Sequence, residues 1–265
     1  MTASVPAPGP VPGWPALTAR GLAKAFGDRV AVTGLDLDVP TGSFFGLVGP
    51  NGSGKTTTLR MASGLQRPDA GQVWIAGHDT WAEPVAVRRL IGVVPDPLHL
   101  FDRLTADELL RHLGELRGMD RAEVATRSEE LLSVLGLESA GSELIGGYSH
   151  GMRKKTSLAC ALLHRPAVLL LDEPFEGVDP LSAVTVRDLL DRYRRAGGTV
   201  VFSSHVMDLV ERFCDHVAVM ATGRLLAAGP IDAVRAGRRL EDAFIQLVGA
   251  QPVRGDRLAW LDPTT

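Results

Sequence analysis

Phe44-Phe45-Gly46-Leu47-Val48-Gly49-Pro50-Asn51-Gly52-Ser53-Gly54-Lys55-Thr56-Thr57 runs from an apolar segment through a glycine-rich turn into a helical pattern. Residues 49–56 match GxxxxGK[ST], the P-loop pattern for phosphate binding. The glycines let backbone N–H groups turn inward around an anion. A helix starting at the end of the loop presents its N-terminus to the same anion. The expectation is that Gly49, Pro50, Asn51, Gly52, Ser53, Gly54, Lys55, Thr56 and Thr57 bind a nucleoside triphosphate. Lys55 should reach the β and γ phosphates, and the Thr56 hydroxyl should ligate Mg²⁺.

Three further apolar runs share the character of Phe44–Val48. They are Ile91-Gly92-Val93-Val94, Ala167-Val168-Leu169-Leu170-Leu171 and Thr199-Val200-Val201-Phe202. Each has strand length and nearly continuous hydrophobicity, as parallel strands covered on both faces require. Each is followed at once by polar residues: PD, DEP and SSH. Ligands of open parallel sheets sit beyond the carboxyl ends of the strands. Four candidate functional segments therefore converge on one sheet edge.

Leu171-Asp172-Glu173-Pro174 carries two carboxylates at such an edge. Asp172 is placed to hold a Mg²⁺ shell. Glu173 is suited to polarising an attacking water. An acidic turn with no chemistry is the competing reading.

Helical spacing appears over residues 56–64, over 105–118 with Leu109, Leu110, Leu113 and Leu116 on one face, and over 121–136 with Val124, Leu131, Leu132 and Leu135 on one face. The latter two have no strand signal between them, so they predict a helical subdomain at about 100–150. Residues 17–43 and 71–78 read as strands. Leu35, Leu37 and Val39 alternate there with Asp36 and Asp38, a half-buried antiparallel pattern.

The 265 residues are 45% hydrophobic and carry a formal net charge of -3. That size supports a large core, and a near-neutral balance argues against a nucleic-acid partner. The two cysteines, Cys160 and Cys214, have no metal-ligand spacing and read as small buried hydrophobes. No apolar run approaches the ~20 residues that span a bilayer. Residues 1–16 are Pro-rich and read as a disordered tail; residues 249–265 are expected to form a second tail.

Tyr148-Ser149-His150-Gly151-Met152, shortly before the Asp172 strand, resembles the LSGGQ signature of the ABC ATPase family. The remaining landmarks of that family follow in order over about residues 17–248. The resemblance implies a P-loop NTPase (RecA-like) α/β core with an antiparallel β-subdomain and an inserted α-helical subdomain. It implies ATP hydrolysis with ATP and Mg²⁺. Phe26 takes the place of the aromatic that stacks on adenine, although a core Phe would read the same way. Gly177-Val178-Asp179-Pro180 resembles the D-loop at the dimer interface. His205 resembles the switch histidine at the γ-phosphate. Ser149 and Gly151 are implied to bind the nucleotide of the opposite subunit. The implied partners are a second ATPase subunit and a transmembrane permease, at the cytoplasmic face of the cell membrane.

The family's Q-loop glutamine is replaced by Asp96, which offers a shorter, charged oxygen donor to Mg²⁺. A solvated loop carboxylate is the plain alternative. The YSHGM variant and the C-terminal LEDAFIQLVG resemble ABC-2-type export subunits. Leu240, Phe244, Leu247 and Val248 share a helical face there, which core packing alone would explain. Two rival functions remain at this stage: a soluble non-transport ABC ATPase, and a module that binds ATP without turnover. Glu173 and His205 speak against the second.

Overall fold

The computed structural model describes residues 9–249. Along the chain these form β1 (Leu17–Phe26), β2 (Arg29–Val39), β3 (Phe44–Val48), α1 (Lys55–Ala62), β4 (Ala70–Ile75), β5 (His78–Asp79), α2 (Pro84–Leu90) and β6 (Ile91–Val94). The helical segment follows, with α3 (Ala106–Leu116), α4 (Arg121–Val134) and α5 (His150–Leu162). The chain then returns to the sheet with β7 (Val168–Leu171), α6 (Pro180–Arg195), β8 (Thr199–Ser204), α7 (Met207–Phe213), β9 (His216–Ala221), β10 (Arg224–Pro230), α8 (Ile231–Arg235) and α9 (Leu240–Val248).

The four apolar runs become the parallel strands β3, β8, β7 and β6. With β9 and β10 they form one six-stranded sheet of order β10-β9-β3-β8-β7-β6. Their continuous hydrophobicity has a two-sided cause. Side chains alternate across a strand, so Phe44, Val48, Leu169, Leu171, Val200 and Phe202 enter one core, while Phe45, Leu47, Leu170 and Val201 enter another. The first core is closed by the helical segment, with Leu109, Leu110 and Leu158. The second is closed by α1 and by a four-stranded antiparallel sheet of order β2-β1-β4-β5. Each large aliphatic or Phe side chain fully buried this way contributes about 1.5–3 kcal/mol. Both layers are needed, because either face left bare would lose half of those contacts.

The antiparallel sheet bears out the alternation in β2. Leu35, Leu37 and Val39 are buried and Asp36 and Asp38 are exposed. In the helical segment, Thr105 caps α3 in a reciprocal box with Glu108, and Asp120 caps α4. These caps satisfy orphan N–H groups and fix where the helices start. Leu109 and Leu110 are buried, but Leu116, expected on the same face, is 70% exposed because α3 ends there. In α9, Leu240 is buried and Phe244 packs on the core, whereas Leu247 and Val248 stand about two-fifths exposed.

The N-terminal segment departs from the tail expectation within the described residues. Val11 N–H donates to Ala76 O at 2.9 Å, the Trp14 ring packs tilted against Trp74 with centroids 6.2 Å apart, and Ala16 is buried. A Pro-rich composition can still be ordered when its apolar residues cap an open sheet face. Residues 1–8 and 250–265, including Trp260, lie outside the described residues. No helix among the described residues is long and apolar enough to cross a membrane.

Candidate nucleotide site

The carboxyl ends of β3, β6, β7 and β8 do meet on one edge, and a cavity of about 550 Å³ opens there. Phe26, Asn51, Lys55, Thr56, Asp96 and Glu173 line it, together with His205. Gly52, Gly54 and Thr57 complete the loop wall.

The loop conformation depends on glycine. Gly54, the residue before α1, has φ of 106°, and a Cβ there would lie 2.5 Å from Ala31 O. Only glycine meets both demands. Lys55 is 5% exposed and its Nζ donates to Gly49 O at 2.7 Å and Pro50 O at 3.2 Å. It also lies 3.8 Å from Glu173 Oε1. Burial lowers the Lys55 pKa, and Glu173 and Asp172 oppose that shift. Ser53 Oγ is buried and has no hydrogen-bond partner among the described residues. A buried hydroxyl without a partner, a buried ammonium and the N-terminus of α1 at the same place suit a polyanion.

Thr56 Oγ1 donates to Asp172 Oδ1 at 3.1 Å. Asp172 is 3% exposed and also accepts from Ser203 Oγ at 2.5 Å. Burial raises its pKa, while Ser203 and Thr56 pull it back down. A buried carboxylate beside a hydroxyl is an all-oxygen donor set, which suits a hard cation such as Mg²⁺. Glu173 N–H donates to Ser203 Oγ at 2.9 Å, so Ser203 joins the two acidic residues. Glu173 Oε1 lies 3.1 Å from His205 Nδ1. Burial raises the Glu173 pKa, with His205 and Lys55 acting in the opposite direction. The adjacent acids thus have different environments: one faces hydroxyls and the other faces basic groups.

The remaining expected residues fall in two places. Phe26, at the end of β1, is 50% exposed beside the cavity, which excludes the core-Phe reading. Asp96 follows β6 and its carbonyl accepts from Arg60 Nη2 at 2.6 Å. Ser149, Gly151 and Asp179 are absent from the cavity lining. Ser149 caps α5, accepting from Met152 N–H at 3.3 Å, and Asp179 caps α6, accepting from Ser182 N–H at 2.9 Å. Gly151 lies against Gly177, where a Cβ would be 3.3 Å from Gly177 O. The signature and D-loop segments therefore touch each other, outside this chain's own cavity.

The family model described as "ABC transporter" matches residues 32–176. The chain belongs to the ABC transporter family. Among relatives of this ABC transporter chain, the linearmycin resistance ATP-binding protein LnrL of Bacillus subtilis (strain 168) is 35% identical over 213 residues. That alignment covers 80% of this chain and 68% of LnrL. The Nod factor export ATP-binding protein I of Cupriavidus metallidurans (strain ATCC 43123 / DSM 2839 / NBRC 102507 / CH34) is 39% identical over 217 residues. Here 80% of this chain and 70% of the relative are covered. A dimeric ATP-binding cassette in a post-hydrolysis state, bound to ADP and Pi, superposes with a TM-score of 0.75 at 26% identity. It covers 81% of this chain and 98% of its own. The ABC chain is thus an ATP-binding subunit and ATPase that powers transport, and the soluble non-transport alternative falls away.

Proposed function

We infer that this ABC ATPase hydrolyses ATP at the β3–β6–β7–β8 edge and drives export through a separate membrane permease. One observation carries the site assignment: Thr56 bonds Asp172, Lys55 and His205 both reach Glu173, and Ser203 bridges the two acidic residues at that edge. Lys55 and the loop N–H groups hold the β and γ phosphates, and Phe26 offers its exposed ring to the adenine. Thr56 and Asp172 would hold Mg²⁺, with Asp96 on the cavity wall beside them. Bound Mg²⁺ would supply positive charge that offsets the charge developing on the phosphates. Glu173 Oε1 accepts the proton of the attacking water. His205 Nδ1 keeps that carboxylate aimed, and its ring lines the cavity on the side where the γ-phosphate would sit.

Ser149, Gly151 and Asp179 stand outside their own chain's cavity, which favours a site completed by a second copy. In that arrangement two chains sandwich two ATP molecules, closing on binding and opening on hydrolysis. The dimeric relative supports that reading. Export rests on the Nod factor and resistance relatives, and the peripheral position at the cytoplasmic membrane face rests on the need for a permease.

Isolation of the full chain from detergent-solubilised membranes tests the transport assignment. Co-purification of a polytopic membrane protein that stimulates its ATPase is expected. A chain recovered only from the membrane-free fraction, with ATPase indifferent to any membrane protein, would refute it.

A further inference from the structure

Lys154 is a buried charge that the hydrolytic reading leaves unused. It lies on α5, the helix capped by Ser149, and is 2% exposed. An ammonium held that far from water is costly unless anionic or carbonyl oxygens compensate it. Its Nζ donates to Glu173 O at 2.5 Å and stands 3.8 Å from Asp96 Oδ1. Among the described residues these are its only recorded polar partners.

Glu173 has φ of 45°, a left-handed conformation unusual for a residue with a side chain. Such backbone persists only where the surroundings hold it. The residue is gripped from two elements: Ser203 on β8 accepts its N–H, and Lys154 on α5 donates to its carbonyl. The conformation matters because it sets the direction in which the carboxylate leaves the chain. Asp96 is fixed in turn by Arg60 on α1. One buried ammonium therefore joins the signature helix, the loop after β6 and the backbone of Glu173.

We propose that Lys154 is a positioning residue for ATP hydrolysis, holding Glu173 from the signature helix while Asp96 supplies the compensating carboxylate. This rests on the reading of Glu173 as the water-activating group. It also gives a physical reason for an acid at position 96. A neutral amide there would leave the buried ammonium without an anion.

Lys154→Met, Asp96→Asn and the double variant test it in the full chain, with kcat, KM for ATP, Mg²⁺ titration and binding of a fluorescent ATP analogue. Lys154→Met removes the ammonium at similar length. It is expected to lower kcat about tenfold or more, as misplacement of a reacting group does, with KM, Mg²⁺ optimum and analogue affinity unchanged. Asp96→Asn should lower kcat less. The double variant should be no worse than Lys154→Met alone, because residues acting as one unit are not additive. Parental kcat in Lys154→Met, a loss appearing only as weaker analogue binding, or additive losses in the double variant would overturn the proposal. If Lys154→Met does not fold, Asp96→Asn decides, and parental kcat there would overturn it. Glu173→Gln runs in parallel. Full turnover in Glu173→Gln would remove the Glu173 reading itself, whereas an inactive Glu173→Gln beside a fully active Lys154→Met would remove only this proposal.

Discussion

His205 Nδ1 lies 3.1 Å from Glu173 Oε1, although the two residues follow different strands, β8 and β7. Parallel pairing of these strands, with Leu171 opposite Phe202, is what brings the two side chains together. His205→Ala should therefore misaim Glu173 and leave the phosphate loop intact. A fall in ATPase rate of about tenfold to a hundredfold is expected, with unchanged binding of a fluorescent ATP analogue. Weaker binding that accounts for the whole loss would place His205 in nucleotide capture instead.

Lys55→Ala removes the side-chain charge that faces the phosphates. Its ammonium is buried and donates to Gly49 O and Pro50 O, so the loop's own carbonyls position it. Titration with the same analogue should show binding lost or severely weakened, and turnover abolished. Parental affinity would contradict the phosphate-loop assignment.

Gly54→Ala tests the loop's backbone. The φ of 106° and the 2.5 Å approach to Ala31 O leave no room for a methyl group. The strain is of order 1–3 kcal/mol, and relieving it must distort the loop. A lower Tm together with lost analogue binding is the expected result in a thermal-shift experiment with and without nucleotide.

His164, in the turn after α5, gives a pH prediction away from the nucleotide. Its Nε2 lies 3.0 Å from Ile91 O. Burial, and then the charge of Arg117, push its pKa from 6.5 down to about 4. The unfolded chain then binds a proton that the folded one refuses between those two values. Stability is undiminished above pH 6.5 and falls as pH drops toward 4, by up to about 3 kcal/mol. Urea unfolding at pH 7 and pH 4.5 should show a smaller acid loss for His164→Gln than for the parent. Equal losses would mean that His164 does not carry the effect.

Residues buried on two faces were the most legible in the sequence. Phe44–Val48 and Val168–Leu171 read as strands because each must fill two cores, and the P-loop between β3 and α1 is defined by local glycine spacing. Ser203 was hidden for the opposite reason. A serine at a strand end has no periodic signature, and its bridging role exists only once β8 lies beside β7. Lys154 was equally silent, since a lysine on a helix reads as solvated until the helix is docked. The segment from residue 9 to residue 16 misled by composition: its prolines suggest a tail, while Val11 and Trp14 find an apolar surface that only the folded sheet supplies. Phe26 could not be placed as core or site from sequence, because exposure at the end of β1 is a tertiary property.

The ATPase rate of Glu173→Gln tests the central claim most directly. The amide keeps the size of the side chain and removes the proton acceptor, so turnover should fall by at least ~10²-fold, as for a missing general base. Analogue affinity should stay at the parental value, and size-exclusion chromatography with MgATP should show a trapped dimer. A near-parental ATPase rate, with no ATP-dependent dimer, would contradict the assignment of Glu173 and the hydrolytic site built around it.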